Sequence, residues 1–408
     1  MPAETILCVA TRDWNSLWRD SQQIMSRLAA RYHVLYFDPG RDPAQSVLHE
    51  LLHNSPNMFT LRTDQVRENL IVVPTPPSIP HARRFLPRSV LRITMPLVIR
   101  SNASMIIRHI QWALQSLNVK APILWLYSPY HIGLIGKFGE KLVCYFNYDE
   151  FANFVQSARI KDLIRRLDDE MTRQADVVFA TSRAQWEHRK AINLDTYFTP
   201  NGVDFDLFNT ALNPETSIPA DVANLKKPII GFVGWLGYQI DLDLLQGIAE
   251  TYSDCSLVLV GPDDMPNNAN HRRLRAMSNV HFLGLKALGS LPAYLKAMDV
   301  ALIPYLLEGF TLTAYPLKLH EYLAAGRAIV ATALPELRPY CHVVRIAETQ
   351  AEFIRQIREA LQDHGSQAIE ARVAVARENT WDQRVEEIYR ILDHRLSGAE
   401  TRFFKEPP

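Results

Sequence analysis

Lys318 and Glu321 stand three residues apart in the stretch Pro316-Leu317-Lys318-Leu319-His320-Glu321-Tyr322-Leu323-Ala324-Ala325-Gly326. On a helix that spacing places both side chains on one face. The proline suits the first helical turn, and Gly326 can take the left-handed cap that ends it. An apolar run from Arg327 to Thr332 follows and reads as a strand. The N-terminal end of such a helix attracts anions. A cation for phosphate and a carboxylate for ribose hydroxyls, one turn apart, describe a nucleotide site. An amphipathic helix with no ligand would show the same periodicity, so the elements around it decide how much the pair means.

A chain of 408 residues exceeds what one core usually supports, so two domains are expected. With 47% hydrophobic and 22% charged residues, the composition is that of a globular protein. A formal net charge of +0 supplies no basic field for nucleic acid. The four cysteines are scattered and form no Cys-x-x-Cys pair, which argues against a structural zinc or a disulfide framework. No signal peptide precedes the first strand-like run, and no apolar run approaches membrane-spanning length, so a cytoplasmic location is expected. Strand-like runs fall at residues 6–10, 34–37, 70–73, 123–126, 141–146 and 177–180, then at 229–233, 256–260, 280–283, 300–303, 328–331 and 343–346. Helical patterns alternate with them at 21–31, 158–174, 241–252, 291–297 and 352–362. That alternation predicts an α/β protein of two doubly wound domains, 1–212 and 213–380, joined near the proline-bearing stretch 213–228. Ligands sit beyond the strand C-termini in such domains, so a cleft between the two is the expected site. Residues 381–408 begin with an apolar stripe of Val385, Ile388, Tyr389 and Leu392, a helix.

Several segments in order resemble the GT-B glycosyltransferases, family 1/4-like, of the bacterial cell-surface polysaccharide type. The Pro316–Gly326 stretch is similar to that family's Pro-Leu-Lys-x-x-Glu-Tyr-Leu-Ala-x-Gly nucleotide-sugar motif. Ala175–Ser182 resembles the last N-domain strand, and Pro200-Asn201-Gly202-Val203-Asp204 with Phe208 the interdomain loop. Gly231-Phe232-Val233-Gly234 resembles the first strand and phosphate-facing turn of the C-terminal domain. Leu257–Pro262 and Val280–Gly284 resemble its next two strands. The resemblance implies two Rossmann-like domains facing a central cleft, with the C-terminal helix crossing back to the first. It implies a UDP-, GDP- or dTDP-sugar donor held by Gly234, Trp235, Pro316, Leu317, Lys318 and Glu321, with Glu321 on the ribose and no other cofactor. A saccharide or lipid-linked saccharide would be the acceptor. A soluble small acceptor, an epimerase, or a non-catalytic binding module are the alternatives.

The chain departs from many retaining members of that family. The glutamate expected seven residues before Glu321 is replaced at Thr313, although Glu308-Gly309-Phe310 resembles the pre-helix loop. The arginine and lysine after the first C-domain strand read Trp235 and Ile240. These departures favour inversion, which needs a general base on the acceptor hydroxyl. Asp13, Asp149 and Glu150 follow predicted N-domain strands and are the candidates, with His131 behind them as a further base or acceptor contact. Asp13 or Asp149 could equally cap a helix. Arg19 could bind an acceptor phosphate or lie on a solvated helix face. No Asp-x-Asp triplet reads as a metal clamp: Asp241-Leu242-Asp243 opens a helix, so metal-independent transfer is expected. Between Glu68 and Glu140 there is no acidic residue, while Arg83, Arg84, Arg88 and Arg92 alternate with large apolar residues. That pattern suits an interfacial surface on an anionic membrane, or a buried helix pair whose arginines reach solvent.

Overall fold

Apolar runs of four to six residues form most of the strands. The computed structural model describes residues 4–39, 63–75, 103–155, 157–265 and 267–398. Contacts divide the chain into two units, 1–199 with 385–408, and 200–384.

The first unit holds strands β1 (Thr5–Val9), β2 (His33–Asp38), β3 (Asp64–Arg67), β4 (Leu70–Pro74), β5 (Ile123–Leu126), β6 (Leu142–Asn147), β7 (Val177–Ala180) and β8 (Thr196–Phe198). Their order in the sheet is β3-β4-β2-β1-β5-β6-β7-β8. All pairs are parallel except β3 with β4. β1 therefore lies between β2 and β5, the place where the winding reverses. β3 and β8 were not among the expected strands. β3 reads Asp-Gln-Val-Arg, is exposed throughout and sits at an edge, so it carries no apolar signal. β8 has only three residues. Leu7, Val9, Leu35, Phe37, Leu124 and Leu126 build the core on one face with Ile110 and Leu114 of helix 103–116.

The second unit holds β9 (Ile229–Val233), β10 (Ser256–Val260), β11 (Val280–Gly284), β12 (Val300–Ile303), β13 (Ala328–Thr332) and β14 (Arg345–Ala347), in the order β11-β10-β9-β12-β13-β14 and parallel throughout. The period-two alternation is legible in its core. Val233, Val258, Val260, Ala301, Ile303 and Ile329 face one side. Ile230, Phe232, Leu257, Leu259, Leu302 and Val330 face the other. Both faces are covered by helices, which is why these strands read as unbroken apolar runs.

The division falls at residue 200, before the stretch 213–228 named from the sequence. The reason lies in contacts with residues far along the chain. Asn201 Nδ2 donates to the Tyr315 carbonyl (2.8 Å), and Phe208 is buried in the second unit's core. Val203 pairs with Asn379 and Trp381 through its backbone, at 3.0 and 3.1 Å. The last helix, Trp381–Leu396, is assigned to the first unit from Val385 onward. There Tyr389 stacks on Tyr32 (5.9 Å between ring centroids) and donates its hydroxyl to the Arg27 carbonyl (2.7 Å).

Candidate functional site

In the second unit the chain leaves β9 at Gly234, and Gly234 N–H donates to the Val260 carbonyl (2.8 Å). A Cβ at Gly234 would lie 3.0 Å from Lys318 Cε and 2.9 Å from the Phe232 ring, so this backbone rests directly against the lysine. Gly261 closes on it from β10. A Cβ there would lie 1.7 Å from the Gly234 carbonyl oxygen, at a φ of +144. At 261 only glycine fits without moving backbone; at 234 a side chain would have to displace the Phe232 ring and the end of Lys318.

The helix Lys318–Ala324 follows Pro316 and Leu317, and Gly326 ends it at a φ of 68. Lys318 Nζ donates to Glu321 Oε2 (2.7 Å), with side chains 16% and 13% exposed. Tyr322 fixes this helix to the sheet. Its buried hydroxyl accepts from the Val233 N–H (2.8 Å) and donates to the Val233 carbonyl (3.1 Å). His320 packs on the opposite side, hydrogen-bonded to the Tyr315 hydroxyl (2.8 Å), which in turn meets the Tyr340 hydroxyl (2.7 Å). Burial pushes the His320 ring down to about 3, so it is neutral and structural. Trp235 Nε1 donates to Asp264 Oδ2 (2.6 Å), and its ring meets Tyr238 edge-on at 5.3 Å. Asp241 caps the helix Leu242–Thr251 by accepting from the Leu244 N–H (2.9 Å). This arrangement offers one ammonium, one carboxylate and a helix opening at the carboxyl end of β9, where β10 and β12 flank it. It can hold a diphosphate and a diol.

In the first unit a second polar group forms past the ends of β1, β5 and β6. The Thr11 and Tyr148 hydroxyls are 3.0 Å apart, and the Tyr36 hydroxyl donates to the Arg12 carbonyl (2.8 Å). These bonds fix the loop after β1 against Asp149. Burial pushes the Asp149 carboxyl up to about 7; Arg19 and Arg12 pull it down, while Asp20 and Glu150 push it up. A carboxyl titrating there can accept a proton near neutral pH.

Behind that loop lies a buried network. Asp168 accepts from the Tyr145 hydroxyl (2.8 Å) and from Arg189 (2.6 Å). Burial pushes Asp168 up to about 6, with Arg189 opposing. Asn147 Nδ2 reaches the Tyr145 hydroxyl (3.0 Å) and the Asp149 carbonyl (3.2 Å). Glu150 lies 3.8 Å from the same Arg189. Asp13 spends its Oδ1 on the Asn15 N–H (2.9 Å), capping a turn rather than a helix. The residue at the N-cap of the helix Asp20–Leu28 is Arg19, whose N–H donates to Gln22 Oε1 (3.1 Å). His131 sits in the short helix Pro129–Leu134 after β5. Arg83, Arg84, Arg88 and Arg92 lie outside the described residues. Among the described residues no helix is long and apolar enough to cross a membrane.

Residues 227–363 match the family described as Glycosyl transferases group 1. That span contains Gly234, Lys318, Glu321 and Tyr322. The match lies wholly within the second unit. The fold of the chain is similar to that of sucrose-phosphate synthase from Thermosynechococcus elongatus, with a TM-score of 0.69 at 17% identity, covering 97% of this chain and 100% of that one. HepE from Anabaena in complex with UDP and glucose gives a TM-score of 0.64 at 12% identity, covering 96% and 99%. These likenesses concern the GT-B fold. A putative teichuronic acid biosynthesis glycosyltransferase, TuaH, of Bacillus subtilis (strain 168) is 27% identical over 188 residues, 45% of this chain and 47% of that protein. The chain thus matches about half the length of that relative.

Within this GT-B chain, the structure gathers Gly234, Lys318 and Glu321 in one place, with Trp235 beside them. It sets Asp149 and Glu150 on one loop and turns the Asp13 carboxylate to a backbone N–H. Tyr322 and Asp20 went unremarked in the sequence. The tyrosine was visible in the Glu-Tyr-Leu run, but nothing in spacing tells which hydroxyl will find a strand end. Tyr322→Phe leaves both Val233 backbone groups buried without that partner, and is expected to lower unfolding stability by about 1–3 kcal/mol. Chemical denaturation of the variant against the parent checks this; equal stabilities would mean the hydroxyl does not hold the junction.

Proposed function

We propose that this protein transfers a sugar from a nucleotide-sugar donor to a saccharide hydroxyl, on a polysaccharide or a lipid-linked oligosaccharide. The observation that carries the reading is the Lys318–Glu321 pair held against the Gly234 backbone, inside the span that matches the family. Lys318 and the N–H groups opening its helix would neutralise charge growing on the leaving nucleotide diphosphate. Glu321 would accept from the ribose hydroxyls. HepE with UDP and glucose, and TuaH by its description, support a nucleotide-sugar donor and a saccharide product. Glu321→Ala is expected to weaken donor binding by about 1.5–3 kcal/mol in a folded protein. Calorimetric titration with UDP-, GDP- and dTDP-sugars measures it, and an unchanged affinity removes Glu321 from the site.

For the base we favour Asp149 over Asp13 and Glu150. The Asp13 carboxylate is occupied by a backbone N–H, and Glu150 leans on Arg189. A base must be deprotonated, so turnover should rise as pH passes through about 7. Stability runs the other way. The folded state holds this proton more tightly than the unfolded chain, whose aspartates titrate near about 3.9, so the contribution present at lower pH is lost as pH rises through about 7. Asp149→Asn should slow transfer by about 10²–10⁴-fold with donor affinity kept, and should flatten stability over that window. Near-normal turnover with an unchanged pH profile would return the role to Asp13, Glu150 or His131. The same assay run in chelator should proceed, since Lys318 and helix N–H groups supply the positive charge and Asp241 serves as a cap. Its product should carry the inverted anomer. Trp235 is committed to Asp264 and Ile240 is buried, where many retaining relatives carry cations.

An acceptor on lipid calls for a membrane face, and the acid-free run bearing Arg83, Arg84, Arg88 and Arg92 supports a peripheral one on the cytoplasmic side. Binding to anionic vesicles should exceed binding to neutral ones and fall as salt rises. Equal partitioning onto both would defeat the electrostatic reading and favour a soluble acceptor.

A further inference from the structure

Asn147, Gln185 and Arg189 are 0%, 1% and 2% exposed, and among the described residues each has one side-chain atom with no hydrogen-bond partner: Oδ1, Nε2 and Nε in turn. Buried polar atoms rarely go unpaired. These three belong to one ring of bonded residues around the carboxyl ends of β6 and β7. Asn147 Nδ2 donates to the Tyr145 hydroxyl (3.0 Å), which donates to Asp168 (2.8 Å), which accepts from Arg189 (2.6 Å). Arg189 lies one turn beyond Gln185 on the helix Arg183–Lys190, on the same face. Gln185 Oε1 accepts from the Thr181 hydroxyl (3.3 Å), and the Thr181 N–H donates to the Asn147 carbonyl (3.2 Å), which closes the ring. The loop bearing the acids hangs from it. The Tyr148 carbonyl lies 3.2 Å from the same Thr181 hydroxyl, and the Asp149 carbonyl accepts from Asn147 Nδ2 (3.2 Å). Glu150 stands 3.8 Å from Arg189.

The three atoms ask for complementary things. Gln185 Nε2 and Arg189 Nε can only donate, and Asn147 Oδ1 can only accept. The Arg189 charge is already met by Asp168, so no anion is called for. A small neutral molecule that accepts twice and donates answers all three, and water is that molecule. Buried waters commonly make about three hydrogen bonds to groups the protein leaves unpaired. The 3.8 Å between Arg189 and Glu150 is too long for a direct hydrogen bond and is the kind of gap a water bridges. We propose that one buried water accepts from Gln185 Nε2 and Arg189 Nε and donates to Asn147 Oδ1 and Glu150, making Gln185 and Arg189 positioning residues for the loop that carries Asp149 and Glu150. The proposal rests on the reading that an acid of this loop is the base. Its effect runs through Asn147. With Oδ1 held by the water, Nδ2 stays on the Asp149 carbonyl; without it the amide is free to turn, and the loop loses one of its bonds. A reacting group displaced by about 1 Å can slow catalysis by about 10²-fold.

The test combines crystal structures of the full chain, at a resolution that shows single waters, with steady-state transfer kinetics. The parent should show a water within hydrogen-bond reach of Asn147 Oδ1, Gln185 Nε2 and Arg189 Nε. Gln185→Met keeps the side-chain length and removes the donor, while the Thr181 hydroxyl retains the Tyr148 carbonyl. Arg189→Lys keeps a charge opposite Asp168 and removes Nε. In both variants the water should be lost or displaced and the Asn147 amide should leave the Asp149 carbonyl. In both, kcat should fall by about 10–10²-fold with donor KM unchanged, a split that a general loss of structure would not give. A parent structure with no water in reach of the three atoms overturns the proposal. So does a loop that keeps its parent position in both folded variants. Should one variant fail to fold, the parent structure and the other variant decide. A loop that moves while kcat holds would uphold the water link and sink the reading of Asp149 or Glu150 as the base.

Discussion

Parallel strands end together. Each sheet therefore has one edge where chain after chain leaves the ladder, and the backbone groups just beyond have lost their partners while still close to the core. Leaving them unpaired would cost about 1–3 kcal/mol apiece. In the second unit a side chain from a neighbouring helix meets that need, since Tyr322 serves both backbone groups of Val233. In the first unit the hydroxyl of Tyr36 on β2 serves the Arg12 carbonyl, while the Thr11 and Tyr148 hydroxyls join two of the loops. The chemistry available at each edge follows from how that need is met. Tyr322 points into the sheet, so Lys318 and Glu321 on the same short helix are held at the strand exit.

The two edges differ in what they can do with charge. At the second, one lysine and one glutamate pair directly, both largely sheltered, with no further cation supplied by Trp235 or Ile240. Such a pair is ready to exchange partners with a ligand that brings both an anion and hydroxyls. At the first edge burial is the largest influence on the Asp149 carboxyl, with Arg19 and Arg12 opposing it. Deeper in, Asp168 and Arg189 are each only 1–2% exposed. Breaking such a pair by removing one partner costs about 3–5 kcal/mol. Glu150 and Asn147 link it to the loop that presents Asp149.

What could be read from the sequence was whatever is local. Lys318, Glu321, Gly326 and the helix between them obey one short spacing rule, and Gly234 follows directly on an apolar strand. The strands of the second unit were legible because both faces are covered. β3 was not, since an exposed edge strand of Asp, Gln, Val and Arg carries no apolar signal. Asp168 and Arg189 look like solvated positions on amphipathic helices, and only their mutual pairing lets them be buried. Asp20 looks like a helix-opening acid, and the loops that enclose it come from distant stretches of chain. The division at residue 200 is not legible in the sequence for a similar reason, because Asn201 and Val203 are secured by Tyr315, Asn379 and Trp381, far along the chain.

Gly261 touches neither Lys318 nor Glu321, yet any side chain there would press on the Gly234 carbonyl, whose own backbone is the wall against which Lys318 lies. The position therefore inherits constraint at second hand. A substitution at 261 acts through the backbone of 234, so changes at the two positions should not sum. A larger residue at 261 could be accommodated only by moving the whole exit from β9, not by turning one side chain aside.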